Sequence, residues 1–385
     1  MSTPMRLLHT SDWHLGRSFH RENLLDAQGR VLDHLVETIR SEAVDVVVVA
    51  GDLYDRALPP VDAVRLFDRT LARIHATGAR AVLISGNHDS MARMSFATDL
   101  IDASGIHMRS SMEGVGSPVV IDDEHGPVAF YGIPYLEPEI ARHHWGLSER
   151  GHPAALGHAM ELVRADLAQR PGARSVVLSH AFVTGGEPCD SERDISVGGA
   201  SHVPRSLYDG VDYAALGHLH GRQTLSGAVR YSGSPLAYSF SEEHQVKGYW
   251  IVDLDASGLA GAEFVRAPVP RPLARIRGRI DDLLSDPDQE RFTDHWLQIT
   301  LTDPRRPAQP MDRLRERFPH ALVLDFDPEG GAPEHRPVTA RITGRDERAV
   351  VADFVEWARG APVSEEERAL VDTAVEEVRL QEGAR

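Results

Sequence analysis

The chain has 385 residues, 42% of them hydrophobic and 26% charged, with 58 acidic against 41 basic side chains and a formal charge of −17. This is the composition of an ordinary folded protein, and no run approaches the roughly 18 apolar residues of a membrane helix. The acidic balance argues against DNA binding by bulk charge, which needs a positive surface. Bound divalent cations, or arginines gathered on one face, would offset it locally; Lys247 is the only lysine. The single cysteine, Cys189, cannot form an intrachain disulfide. With no signal-peptide pattern at the N-terminus, the expectation is a cytoplasmic protein in which Met1–Pro4 is a dispensable lead.

In chain order, Arg6-Leu7-Leu8-His9 reads as a first strand and Val46-Val47-Val48-Val49 as a second, with helical spacing of Val31, Leu32, Leu35, Val36 and Ile39 between them. Val64, Phe67, Leu71 and Ile74 predict a second helix before the strand Ala81-Val82-Leu83-Ile84. Between Ala92 and Gly172 the pattern predicts strands near 119–121 and 129–131 and a helix near 154–168. Val176-Val177-Leu178, Tyr213-Ala214-Ala215-Leu216 and Tyr249–Leu254 follow as strands. Two groups of strands mixed with helices predict an α/β fold, a layered sandwich rather than a doubly wound sheet. No Gly-rich dinucleotide or P-loop motif is present, so the chain is not expected to bind ATP by itself.

Ala267–Pro272 breaks the pattern and places a boundary after a first domain at 5–267. Strands at 273–279, 296–301 and 321–326 with a helix at 311–318 predict a small α/β cap domain over 273–327. A Gly/Pro-rich linker at 328–337 leads to two C-terminal helices, near 349–357 and 365–380, a helical hairpin within 345–381. Ser364 and Glu367 have capping-box spacing. The stripe Leu370, Val371, Ala374, Val375 and Val378 suits packing on the protein's own core or docking on a partner helix.

Polar motifs stand at the ends of the apolar runs: Asp12-Trp13-His14, Gly51-Asp52, Gly86-Asn87-His88-Asp89, His180, and Gly217-His218-Leu219-His220. Side chains just past the ends of neighbouring strands converge on one sheet edge. Asp12, His14, Asp52, Asn87, His180, His218 and His220 are the candidate metal ligands, enough for two divalent ions with Asp52 as the bridge. Imidazole and carboxylate without thiolate suit Mn²⁺, Fe²⁺ or Zn²⁺. Such a pair clamps both oxygens of an in-line phosphoryl displacement. His88 is the candidate catalytic histidine, placed to protonate the departing oxygen. Asp55 or Asp89 could hold its charge, and Asp55, three residues after Asp52, is preferred. Arg56 reads equally as a phosphate contact or an exposed arginine. The remaining histidines, His143 and His144 among them, read as surface residues.

These motifs, in this order, resemble the calcineurin-like metallophosphoesterases. The strings His9–Arg17, Ser85–Ser90, Ser191–Gly199, Ala215–His220 and Tyr231–Phe240 are similar to those of the SbcD family of nuclease subunits. The resemblance implies a metallophosphoesterase sandwich (αββα) and a Mn²⁺-dependent DNA nuclease. That activity would be exonucleolytic on duplex ends and endonucleolytic on single strands and hairpins. It assigns Asp12, His14, Asp52 and His220 to one ion, and Asp52, Asn87, His180 and His218 to the other, with His88 acting on the leaving group. It also implies dimerisation and docking of the C-terminal helices on the coiled coil of an SbcC ATPase, which would supply much of the DNA-binding surface. Gly51–Arg56 also fits the superfamily's phosphatases, so a small-molecule phosphodiesterase or phosphatase is the alternative.

Overall fold

The computed structural model describes residues 4–193, 202–329, 346–359 and 362–382. Asp194–Gly199 of the Ser191–Gly199 string, most of the 328–337 linker and Gly360-Ala361 therefore lie outside the described residues. The chain divides into two compact units, Met1–Leu273 and Ala274–Arg385.

The first unit is a four-layer αββα sandwich. One six-stranded sheet runs in the order Gly258–Arg266, Gly248–Asp255, Met5–Thr10, Val46–Ala50, Arg80–Ile84, Ile106–Arg109. The other runs Gln223–Thr224, Val229–Tyr231, Tyr213–Gly217, Arg174–His180, Gly126–Ile133, Val119–Asp123. Met5–Thr10, Val46–Ala50 and Arg80–Ile84 are parallel neighbours in the first sheet, as are Arg174–His180 and Tyr213–Gly217 in the second. Their C-terminal ends therefore share an edge within each sheet.

Strand alternation builds the layers. Met5, Leu7, Val46, Val48, Val82 and Ile84 meet Phe130, Val176, Leu178, Tyr213 and Ala215 between the sheets. Leu8, Val47, Val49 and Leu83, on the opposite face, are also fully buried, as strands covered on both faces must be. On that side the amphipathic helices Leu25–Ser41 and Val61–His75 bury their apolar stripes. The outer face of the second sheet packs Ala129, Tyr131, Ile133, Ala214 and Leu216 against Leu156, Met160 and Val163 of helix His152–Leu167. Each of the larger apolar side chains contributes about 1.5–3 kcal/mol by leaving water.

Arg174 ties the sheets together. Its guanidinium binds Asp123 and the Gly126 carbonyl in its own sheet, and reaches the Leu254 and Asp255 carbonyls in the other.

Several elements are absent from the sequence reading: strands Ile106–Arg109 and Gly258–Arg266 and helix Pro138–Trp145. His152 differs from the surface placement expected of the remaining histidines, and His9, read as part of the first strand, is buried there. His9 shares a strand face with Met5 and Leu7 and is fully buried, bonded to the Tyr213 hydroxyl and Leu216 carbonyl; burial pushes its pKa down to about 3. His152 opens its helix on the buried stripe. His143 and His144 are exposed.

In the second unit, Leu273–Gly278, Trp296–Leu301 and Ala321–Phe326 form a three-stranded sheet with helices Ile280–Ser285 and Pro310–Arg317. Its core centres on Ile276, Leu283, Leu297, Ile299, Leu314 and Phe318. Helices Glu347–Arg359 and Glu365–Glu382 follow. The capping box forms: Ser364 N donates to Glu367 Oε2 at 2.8 Å and Glu367 N to Ser364 Oγ at 3.2 Å. Among the described residues no helix is long and apolar enough to cross a membrane.

Candidate metal centre

Each polar motif begins where a buried strand ends, and the chain must turn sharply there. Asp12, His14, Asp52 and His218 take positive φ angles of 54, 44, 51 and 102°. Such backbone is costly for non-glycine residues and is tolerated where the surroundings enforce it. The glycines of the motifs allow close approach. A Cβ on Gly51 would stand 2.5 Å from His180 Nδ1, one on Gly86 2.1 Å from Asp52 Oδ1, and one on Gly217 1.9 Å from the Ala50 carbonyl oxygen.

The turns bring the seven candidate ligands together at the shared edge. Asp52 Oδ2 lies 3.5 Å from His14 Nε2 and 3.5 Å from His180 Nε2. On one side, His14 Nε2 and His220 Nε2 are 3.1 Å apart, and Asp12, His14 and His220 form a buried cluster. On the other, Asn87 Oδ1 stands 3.0 Å from His180 Nε2 and 3.3 Å from His218 Nδ1. Asp12, Asp52 and His180 also fall within one cluster.

The surroundings orient these groups. His180 Nδ1 donates to the Ala50 carbonyl at 2.9 Å, which leaves Nε2 facing inward. Asp12 accepts from Ser11 Oγ at 2.6 Å and from His218 N at 3.0 Å. Burial pushes the Asp12 carboxyl up to about 6. Burial likewise drives His14 and His218 well below the usual imidazole range, keeping them neutral and available as ligands. His180 is the exception: burial would lower it, but the Asp52 carboxylate raises it to about 9.

Buried imidazole, carboxylate and amide groups facing one another at 3.0–3.5 Å are spaced like ligands around one cation, where metal–nitrogen bonds are about 2.0–2.1 Å. Asn87 Nδ2 is buried without a hydrogen-bond partner while its oxygen faces the histidines. The residues fit a pair of divalent ions.

His88 sits beside this group, half-buried, with its ring 4.7 Å from that of His14. Its backbone N–H donates to Asp52 Oδ1 at 2.9 Å. The contact with Asp55 differs from the expectation: the Asp55 backbone carbonyl, not its carboxylate, accepts from His88 Nδ1 at 2.8 Å. The Asp55 carboxylate instead stands 3.9 Å from His14 Nδ1 and 3.7 Å from Arg17. Asp89 holds the loops: its carboxylate accepts from the backbone N–H groups of Leu53, Tyr54 and Gly86. Burial, with Asp52 nearby, pushes Asp89 up to about 7. Arg56 is exposed.

The sequence reading missed a support shell behind His220. Ser191, Glu192, Glu242 and Lys247 lie there, contributed by the loop after His180 and by the Phe240–Glu242 turn with the loop that follows it. Tyr238 and Gln28 brace the other motif by binding the Trp13 carbonyl. Ser191, Glu192 and Tyr238 lie within the quoted motif strings, the one signal that pointed to them.

Residues 5–222 match the family model of calcineurin-like phosphoesterases. The chain belongs to that family. Residues 269–357 match the Type 5 capsule protein repressor C-terminal domain, the C-terminal domain model of SbcD. Together the two matches support a nuclease subunit of the SbcD type. Among solved structures, the chain is similar to TT1561 of Thermus thermophilus, at 16% identity over 69% of this chain and 100% of that one, with a TM-score of 0.41. It is also similar to a dimetal phosphatase from Danio rerio, at 16% identity over 69% of this chain and 100% of that one, with a TM-score of 0.39.

Proposed function

We propose that this chain is a two-metal DNA nuclease that cuts duplex ends exonucleolytically and single strands and hairpins endonucleolytically. The observation that carries the reading is Asp52 Oδ2, equally spaced between two groups of buried ligands. Asp12, His14, Asp52 and His220 would hold one ion, and Asp52, Asn87, His180 and His218 the other. When bound, the pair supplies the positive charge that polarises a phosphodiester and activates a water nucleophile; Mn²⁺ suits the oxygen and imidazole donors.

The chain's own residues do the rest. Asp52 spans both sites from a backbone turn fixed by Asp89. Because a carbonyl oxygen only accepts, the bond to Asp55 keeps a proton on His88 Nδ1 and leaves Nε2 to carry the proton given to the departing oxygen. Asp55 thereby orients the ring through its backbone.

In this reading the chain works with an SbcC ATPase in cytoplasmic DNA end processing and repair, as a homodimer within a heterotetramer. The SbcD-type C-terminal domain supports that partnership. Exposed Val351, Phe354, Leu370 and Val378 on the last two helices give a partner helix an apolar surface. The rival reading, a small-molecule phosphodiesterase or phosphatase, uses the same ligands. Turnover of a nucleotide diester measured beside that of hairpin DNA separates them. DNA cleavage well above diester turnover supports the nuclease, and the reverse order supports the rival.

A further inference from the structure

Of the 41 basic side chains, Lys247 alone is lysine, and it is buried, with 5% of its surface exposed. Its ammonium donates to the His220 carbonyl at 2.8 Å, Ser234 Oγ at 3.0 Å, Gln245 Oε1 at 2.8 Å, and Glu242 Oε2. Four acceptors sharing the three N–H groups of one nitrogen suit a compact, rotatable ammonium and not the planar fork of arginine.

Glu242 is 1% exposed, and its other oxygen, Oε1, accepts from Ser191 Oγ at 2.6 Å and Tyr238 N at 3.0 Å. Ser191 Oγ in turn meets His220 Nδ1 at 2.6 Å, with the Cys189 thiol 3.2 Å away. The proton count decides the directions. A carboxylate paired with an ammonium only accepts, so the serine spends its one proton on Glu242. Ser191 Oγ must then accept from His220 Nδ1–H, which leaves the His220 Nε2 lone pair on the side of His14 and Asp12. The Glu192 carboxylate holds the same residue by its main chain, Oε1 accepting from the His220 backbone N–H at 2.7 Å.

We propose that Lys247, Glu242 and Ser191 form a positioning relay that locks His220 in its Nδ1-protonated tautomer and so sets the affinity of one cation of the pair. The cation is the one assigned to Asp12, His14, Asp52 and His220, and the relay rests on the two-metal reading above. His180, whose Nδ1 is held by the Ala50 carbonyl, has no need of it. The two ions are therefore tuned by different devices, and only one is open to change through side chains remote from the site.

Calorimetric titration of the full chain with Mn²⁺ tests this, using wild type, Ser191→Ala, Ser191→Thr and Lys247→Arg. Ser191 is half-buried, so its alanine variant keeps the Glu242–Lys247 pair and the fold. The wild type is expected to bind two ions. Ser191→Ala should keep one step and weaken the other about 10–100-fold, the usual cost of removing a group behind a metal ligand. Ser191→Thr should restore it, and Lys247→Arg should weaken the same step. Two wild-type steps in Ser191→Ala would overturn the relay. So would equal weakening of both steps with a lowered unfolding temperature, the mark of a purely structural role. Fewer than two ions on the wild type would overturn the two-metal reading and the relay with it.

Discussion

His14 Nε2 and His220 Nε2 face each other across 3.1 Å at the buried end of two strands from different sheets. The Nδ1 proton of His220 is engaged by Ser191, and burial keeps His14 neutral. In the proposed reading both nitrogens would serve as ligands of the same cation. His14→Ala should therefore weaken one Mn²⁺ by more than the roughly 10–100-fold expected for a group behind a ligand. It should also raise the other ion's dissociation constant far less, as read by equilibrium dialysis.

His88 makes a different forecast, because the proposed function has it move a proton rather than hold metal. His88→Asn should retain two Mn²⁺ per chain and lose about 10²–10⁴-fold in DNA cleavage. An aryl phosphodiester, whose leaving group needs no proton, should be cleaved with a much smaller loss. Equal losses on both substrates would remove His88 from the leaving-group role.

The clustering of the candidate ligands was legible in the sequence because each follows an apolar run directly, so a strand end and a polar motif could be read as one unit. The parallel order of those strands then brings the motifs to one edge. His9 lies in the first strand as read, and alternation with Met5 and Leu7 puts it on the inner face. His152 likewise follows the helical spacing of Leu156, Ala159 and Val163. Glu242 and Lys247 were not legible, since nothing in their local spacing distinguishes a buried ion pair from surface charges. Asp55 shows a further limit: sequence placed the residue near His88, but not which of its oxygens makes the bond.

Two glycines with nearly the same backbone separate conformation from contact. Gly51 (φ 91°) and Gly78 (φ 89°) both favour glycine, but only at Gly51 would a Cβ strike another group, His180 Nδ1 at 2.5 Å. Gly78→Ala should cost about 1 kcal/mol in chemical denaturation. Gly51→Ala should cost more, by displacing His180 or Asp52, and should weaken metal uptake; equal costs would contradict the packing described here.

The Arg174–Asp123 pair gives stability a pH dependence away from the metal centre. Burial alone would raise the Asp123 carboxyl, but Arg174 holds it below the usual carboxylate range. A carboxyl lowered in the folded state stabilises fully above its unfolded pKa of about 3.9. That stability is lost as the pH falls through the lower, folded value. Asp123→Asn should destabilise by about 3–5 kcal/mol at neutral pH by leaving Arg174 buried without its counter-charge. The difference from wild type should narrow below pH 4 in urea titrations; a constant difference would deny the pair this role.

The most direct test is cleavage of an end-labelled DNA hairpin by the full chain with Mn²⁺, alone and with an SbcC-type ATPase and ATP, beside Asp52→Ala. Hairpin opening by the wild type, with none by Asp52→Ala, is the predicted result. An intact hairpin under both conditions, or equal cleavage by the two proteins, would contradict a DNA nuclease centred on Asp52.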